Sequence, residues 1–269
     1  MKFFFTALLF RIIPKKAFSA LTGILSRIKM PCFLLLPFFS WFCRRYNVNY
    51  QEAGEVLAAY PSFDAFFTRR LKPGSRKIDS SQHIFVSPVD GKILCAGEIS
   101  GNAINVKNHS YTAGELTGQN TKIFDSWKFI VIYLAPGDYH RIHHSRSADI
   151  ILVNWINGDK FPVHDTAMKS VCGIYTKNTR LVIGYKAETD FTMVCVGAFN
   201  VGSISFYHPA QGELFCPPVI LPVRAERGGE AAVFHLGSTV VLLMEKIIFN
   251  GIIRAGEKIQ MGQSLGKIG

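Results

Sequence analysis

The stretch 233-VFHLGSTVVLL-243 opens and closes like a buried strand but is interrupted in its middle by Gly237, Ser238 and Thr239. A glycine inside a strand marks a β-bulge or a tight bend. It also leaves a carbonyl that no Cβ shields and a backbone that tolerates strain. A serine directly after such a glycine has a further option: its hydroxyl, deprotonated by a histidine, can attack the preceding carbonyl and shift the peptide to an ester. Elimination of that ester cuts the chain and leaves dehydroalanine, which takes up water and loses ammonia to give a pyruvoyl group capping the new C-terminal chain. A ketone there can condense with an amine and act as an electron sink, the work done elsewhere by pyridoxal phosphate. Taken alone, the four letters Leu-Gly-Ser-Thr leave the bulge, the bend and the self-cleaving bond all open.

Outward from this stretch, the chain from about residue 83 reads as short β-rich segments divided by Gly, Asn, Asp and Pro. They are KILCAGEI (92–99), KFIVIYL (128–134), DIILVNWI (149–156), RLVIGYK (180–186), TMVCVGA (192–198) and GSISFYH (202–208). The glycine-punctuated stretches at 87–101 and 247–269 predict hairpins and strand pairing between the two ends of the domain. The fold class expected is α+β: a mostly-β domain over 61–269 with barrel-sandwich-like pairing, preceded by amphipathic helices within 1–60.

The N-terminal region has a different texture. Residues 3–13 (FFFTALLFRII) are apolar all round and stop at Pro14, and 33–42 (FLLLPFFSWF) is expected to break at Pro37. In between, Phe18, Leu21, Ile24, Leu25 and Ile28 fall at helical spacing on one face. No run reaches the ~18 apolar residues of a spanning helix. The whole chain of 269 residues carries a formal charge of +11, and no acidic residue precedes Glu52. Cations interleaved with Phe, Leu and Ile suit an interfacial helix on anionic lipid. Nothing resembles a nucleic-acid motif, and nucleic acid is not an expected partner. The six cysteines include no CxxC pair, which disfavours a zinc knuckle or redox motif and reads as scattered buried thiols.

Two further polar clusters could carry chemistry. In SPVDGK (87–92), Asp90 precedes Gly91, a dipeptide typical of hairpin turns. In YLAPGDYHRIHHS (133–145), Asp138, His140, His143 and His144 follow a strand. Imidazole titrates near neutrality and suits acid–base work. A metal site there lacks HExxH and a Cys or Glu partner. Asp, His and Ser are thus all on hand, yet the absence of GxSxG speaks against a conventional serine hydrolase.

Together FDAFFTRRLKPGSRKID (63–79), VSPVDGKI (86–93), LAPGDYHRIHHS (134–145), GDKFPV (158–163) and FHLGSTVVLL (234–243) resemble the phosphatidylserine decarboxylase proenzymes of bacterial type. The resemblance runs from about Tyr46 to the C-terminus. It implies a lyase that makes phosphatidylethanolamine from phosphatidylserine after cutting itself at Gly237–Ser238. The products would be a β chain (1–237) and an α chain (238–269), associated as a heterodimer, with higher oligomers left open. Ser238 would become the covalent pyruvoyl cofactor that holds the substrate amine. Asp90 and His143 would activate Ser238 for cleavage, and His140 would assist decarboxylation. The resemblance also implies a peripheral place on the cytoplasmic face of the cell membrane, with lipids as partners and no metal. Phe66 to Arg70 would serve a structural or lipid-facing purpose. The chain departs from the pattern at His144-Ser145, at His164 after FPV, and at ERGGEAAVF before the LGST; His144 could compete with His143 as base. The early SPVDGKI and late glycine-rich tail are also similar to sugar-transport phosphocarrier domains, which lack the FFTR segment and the basic arm. A membrane-bound β domain without activity and the pyruvoyl-dependent amino-acid decarboxylases are further alternatives.

Overall fold

The computed structural model describes residues 15–106, 109–119, 121–161, 173–198, 203–209, 214–215 and 221–269. The run at 3–13, His164, Cys172 and Cys216 lie outside the described residues.

Each β-rich segment read from the sequence forms a strand. The labels used below are β1 (Gly91–Glu98), β2 (Lys128–Leu134), β3 (Arg141–His143), β4 (Ala148–Ile156), β5 (Arg180–Lys186), β6 (Phe191–Gly197), β7 (Ser203–Tyr207), β8 (Glu230–His235) and β9 (Ser238–Met244). An eight-stranded antiparallel sheet runs Val223–Ala225, β4, β5, β6, β9, β2, β1, Lys258–Ile259. A four-stranded sheet runs Leu214–Phe215, β7, β8, β3. The β-branched and aromatic runs of β5, β6 and β9 are buried almost throughout, as strands covered on both faces should be. The two ends of the domain do pair: Ile84 with Lys267, and Lys92 with Lys258.

The quoted stretch 233–243 is two strands belonging to two sheets. β8 ends at His235 in the four-stranded sheet and β9 begins at Ser238 in the eight-stranded one. Leu236 and Gly237 make the crossing, with φ of 82° and 52°. Both lie in the left-handed region, which costs a residue with a Cβ about 1–2 kcal/mol and glycine almost nothing. The interruption is therefore a sheet switch rather than a bulge within one strand.

Ahead of the sheets lie α1 (Lys15–Arg27), α2 (Cys32–Tyr46) and α3 (Phe63–Phe67). The expected break at Pro37 does not occur, because α2 runs through it. An interior proline costs about 3 kcal/mol. Burial of Leu35, Phe39 and Phe42 returns ~1.5–3 kcal/mol each, so packing prevails. Phe39 stacks on Phe66 with centroids 4.7 Å apart, and Phe42 meets Phe63 edge-on at 5.0 Å. These side chains and Phe67 form a second core, against which Leu236 also packs. Among the described residues no single helix is long and apolar enough to cross a membrane, and α1 and α2 meet at a bend of 120°. Cys43 and Cys195 are buried as the composition suggested, whereas Cys32 is exposed.

Replacing Phe39 by alanine should destabilise the protein by about 3–5 kcal/mol, the usual cost of emptying a buried aromatic site. A fall in the urea or thermal midpoint would register it, and an unchanged midpoint would show that the aromatic core carries no stability.

Candidate active site

Because neighbours in the large sheet are antiparallel, β1 begins, β2 ends, β6 ends and β9 begins at the same end. Ser238 lies opposite Leu134 on one side and Gly197 on the other. Gly91 is one residue beyond the Lys92–Tyr133 pair, so it sits in the same row, two strands or about 10 Å from Ser238. The segments that lead into and out of this row carry Asp90, the 135–140 loop and the Leu236–Gly237 link. The loop runs beside the link because β2–β9 and β3–β8 are both paired, and the Phe234 N–H donates to the His140 carbonyl at 3.1 Å.

Ser238 is fully buried, and neither its Oγ nor the Oγ1 of Thr239 has a hydrogen-bond partner among the described residues. Asp90 does not form a hairpin turn. Its carboxylate takes both nitrogens of the Arg76 fork, at 2.5 Å from Nη2 and 3.0 Å from Nε, plus the Met261 N–H at 2.8 Å. Arg76 is shared with Glu52 at 2.9 Å. These carboxylates raise the affinity of the guanidinium for its proton even though burial opposes it. His143 pairs through Nδ1 with the Gly228 carbonyl at 2.8 Å and through Nε2 with the Tyr139 hydroxyl at 3.0 Å. Its backbone N–H reaches the Pro88 carbonyl, which ties it to the Asp90 segment. Asp90, His143 and Ser238 thus reach one end of the sheet, with no hydrogen bond joining them directly.

His140 is buried, its ring centroid 4.1 Å from that of Phe67 at a tilt of 45°, with Nδ1 2.9 Å from the Asp138 carbonyl and Nε2 without a partner among the described residues. Burial pushes its pKa down to about 3. His144 is lowered to about 3 as well, by burial and then by His143, and its Nδ1 meets the Tyr185 hydroxyl at 2.9 Å. Burial likewise lowers His143. The three imidazoles take separate partners and do not converge on one point. Asp138 caps its own loop by accepting the Ala135 N–H at 2.7 Å, and burial raises its pKa.

Two cavities open at this end of the sheet. One of about 470 Å³ is polar and is lined by Asp90, Arg69, Asp138, Tyr139 and Lys258. The other, about 570 Å³, is apolar and runs from Leu25, Phe38 and Phe63 to Leu236 and Gly237. Pro136 faces the apolar cavity and Gly137 the polar one, so the loop separates them. A methyl group added at Gly137 would stand 2.2 Å from the Tyr46 carbonyl, so only glycine lets α2 approach the loop this closely.

Sequence reasoning missed several residues here. Arg69, read there as structural or lipid-facing, is buried on the polar cavity. Arg76 gave no local signal of its attachment to Asp90. His235, two residues before the Gly237–Ser238 bond, pairs with Asp64 at 2.9 Å and with Ser205 at 3.1 Å. Arg27 of α1 lies 3.8 Å from the same Asp64 and donates to Ser203 at 2.8 Å. Only the position of His235 within the quoted stretch could have drawn attention to it.

A family model described as phosphatidylserine decarboxylase matches residues 63–267. The chain is 35% identical over 270 residues to the phosphatidylserine decarboxylase proenzyme of Dechloromonas aromatica, with 95% of each chain covered. It is 34% identical over 284 residues to the corresponding proenzyme of Marinobacter nauticus, covering 96% of this chain and 95% of that one. To the mitochondrial phosphatidylserine decarboxylase proenzyme 1 of Oryza sativa it is 29% identical over 347 residues, covering 98% and 79%.

The buried neutral histidines fix a pH dependence. An unfolded chain protonates them below about 6.5 while the fold holds His140 and His144 neutral to about 3. The unfolded state therefore binds more protons in acid, and stability falls as pH drops from about 6.5 towards 3. At pH 5 each of the two should cost about 2 kcal/mol. A His140→Phe variant should recover roughly that amount at pH 5 relative to pH 7.5 in urea unfolding; parallel pH profiles for the two proteins would contradict this.

Proposed function

This chain belongs to the phosphatidylserine decarboxylase family, and from that membership we propose how its own residues carry the decarboxylation of phosphatidylserine to phosphatidylethanolamine. The observation that bears the most weight is Ser238: a buried hydroxyl without a partner among the described residues, directly after two left-handed residues. A buried unpaired hydroxyl costs about 1–3 kcal/mol, and left-handed Leu236 adds its strain. Both costs fall on the bond that is cut.

In self-cleavage the Ser238 oxygen adds to the Gly237 carbonyl carbon, and the Gly237–Ser238 amide gives way to an ester. Removal of the Ser238 α-proton then expels the Gly237 carboxylate. Asp90 and His143 are the proposed activators. The Nδ1 contact with the Gly228 carbonyl orients the ring so that Nε2 carries the lone pair, and burial keeps it unprotonated. Nε2 must exchange the Tyr139 hydroxyl for the serine proton. The Arg76 fork fixes the Asp90 carboxylate in position.

Among the described residues, Thr239 Oγ1 and His140 Nε2 are left without partners at this sheet end, which suits a polar group such as a pyruvoyl at position 238. When present, that group supplies an electron sink for the charge left on Cα as CO₂ departs. His140 is the proposed aid to decarboxylation: with Nδ1–H given to the Asp138 carbonyl, its neutral Nε2 carries a lone pair and must first take up a proton before it can hold the carboxylate or protonate Cα. The α chain (238–269) is held after cleavage because β9 lies between β2 and β6, and 258–259 and 264–267 pair with the long chain. This supports a β–α heterodimer.

The lipid tails have a path as well. Leu21, Ile24, Leu25 and Ile28 on and just beyond α1, with Phe33, Leu34 and Trp41 on α2, are exposed, and Phe33 is 68% accessible. Lys29, Arg44 and Arg45 flank them. Apolar side chains beside cations suit an anionic bilayer surface, and the apolar cavity leads from this face to Gly237. The reading is a peripheral enzyme on the cytoplasmic face of the cell membrane.

Intact mass of the purified protein should show a fragment starting at position 238 with a carbonyl-bearing, blocked end. Ser238→Ala should remain one chain without activity; a fully active, unbroken polypeptide would refute the mechanism. Replacing Ile24 and Phe33 together by glutamate should weaken co-sedimentation with anionic vesicles at least tenfold while leaving self-cleavage intact. Unchanged binding would remove these helices from the membrane.

A further inference from the structure

Arg69 is only 4% exposed. Its Nη2 donates to the Gly137 carbonyl at 3.1 Å, and its guanidinium lies 5.4 Å from the Phe66 ring centroid. Nε and Nη1 are buried with no partner among the described residues. The contrast with its neighbours is sharp: Arg70 and Arg141 hold Glu230, and Arg76 holds Asp90 and Glu52. Among the described residues Arg69 has no carboxylate in ion-pair contact. Burying a cation in that state costs several kcal/mol, and each unmade hydrogen bond adds to it. A bound anion would remove the cost. The unpaired N–H groups belong to a fork that matches a two-oxygen anion, and the Arg69 side chain lines the polar cavity with Asn47, Asn49, Tyr139 and Lys258.

We propose that Arg69 is the receptor for the phosphodiester of the substrate head group, an inference that rests on the decarboxylase reading above. The location suits it. Gly137 is three residues from Leu134, the register partner of Ser238, at most about 10 Å of extended chain. In the serine head group, two carbons and an oxygen separate amine from phosphorus, so one end can reach position 238 while the other meets the guanidinium. The substrate also carries a carboxylate, but its charge leaves that group as CO₂ departs. A cation fixed on it would stabilise the reactant more than the transition state. The phosphodiester keeps its charge throughout, so a cation there binds both states equally.

Arg69→Gln and Arg69→Lys would first be run on a denaturing gel, where normal self-cleavage certifies fold and site. With phosphatidylserine in detergent micelles, Arg69→Gln should raise KM at least tenfold and leave kcat within about twofold. Arg69→Lys, which keeps the charge and loses the fork, should fall between, and it decides the matter if the glutamine variant does not fold. Calorimetric titration with glycerophosphoethanolamine, which has the phosphodiester without carboxylate or acyl chains, should give binding to the unsubstituted protein and at least tenfold weaker binding to Arg69→Gln. A fall in kcat at constant KM, or equal binding of this probe by both proteins, would overturn the assignment. Should the unsubstituted protein fail to decarboxylate phosphatidylserine, the family reading fails instead, and the calorimetric comparison still decides whether Arg69 holds a phosphodiester.

Discussion

Leu236 is held with a left-handed backbone by its side chain, which is gripped by the aromatic core that α2 and α3 build. No loop flexibility is involved: β8 fixes the chain on one side and β9 on the other, only two residues apart. A leucine at φ 82° is unfavourable on its own, and packing of roughly the same size keeps it there. The proposed chemistry depends on this constraint. It points the chain from one sheet into the other, and it leaves the Ser238 hydroxyl buried where no described neighbour satisfies it.

The same constraint makes the N-terminal helices part of the site. α2 reaches the 135–140 loop through Tyr46 against Gly137. α1 reaches β8 through Arg27, Asp64 and His235. One wall of the apolar cavity is helical and the other is the Leu236–Gly237 link. A head group at the polar cavity and acyl chains in the apolar one would lie on opposite sides of Pro136-Gly137, which divides the site by polarity in the way a phospholipid is itself divided.

Much of this was legible in the sequence, and the reasons differ by residue. The strands could be read because β-branched and aromatic runs between turn residues have few other uses. Gly237–Ser238 and the histidines of 140–144 stood out because their chemistry is local. Pro37 misled, since helix-breaking propensity is a local cost and the packing of Phe39 on Phe66 that overrides it is a tertiary gain. The turn reading of Asp90 failed for a related reason: its partner Arg76 lies 14 positions away, and nothing in a dipeptide reports that. Arg69 was visible as a letter, but its lack of a counter-ion is a property of three-dimensional surroundings. The sheet switch at Leu236 was hidden as well, because two short strands in different sheets have the same apolar signature as one interrupted strand.

β9 sits at the interior of the eight-stranded sheet, with a ladder on each edge. The prosthetic group proposed on its first residue would therefore be built into the framework itself. Enzymes with dissociable cofactors can discard a damaged one and bind another from solution. With the proposed group at that position, no replacement could enter without pulling the middle out of the sheet, so chemical spoilage of that single terminus would retire the whole molecule. Its working life would be counted in turnovers, and renewal would require synthesis of a new chain.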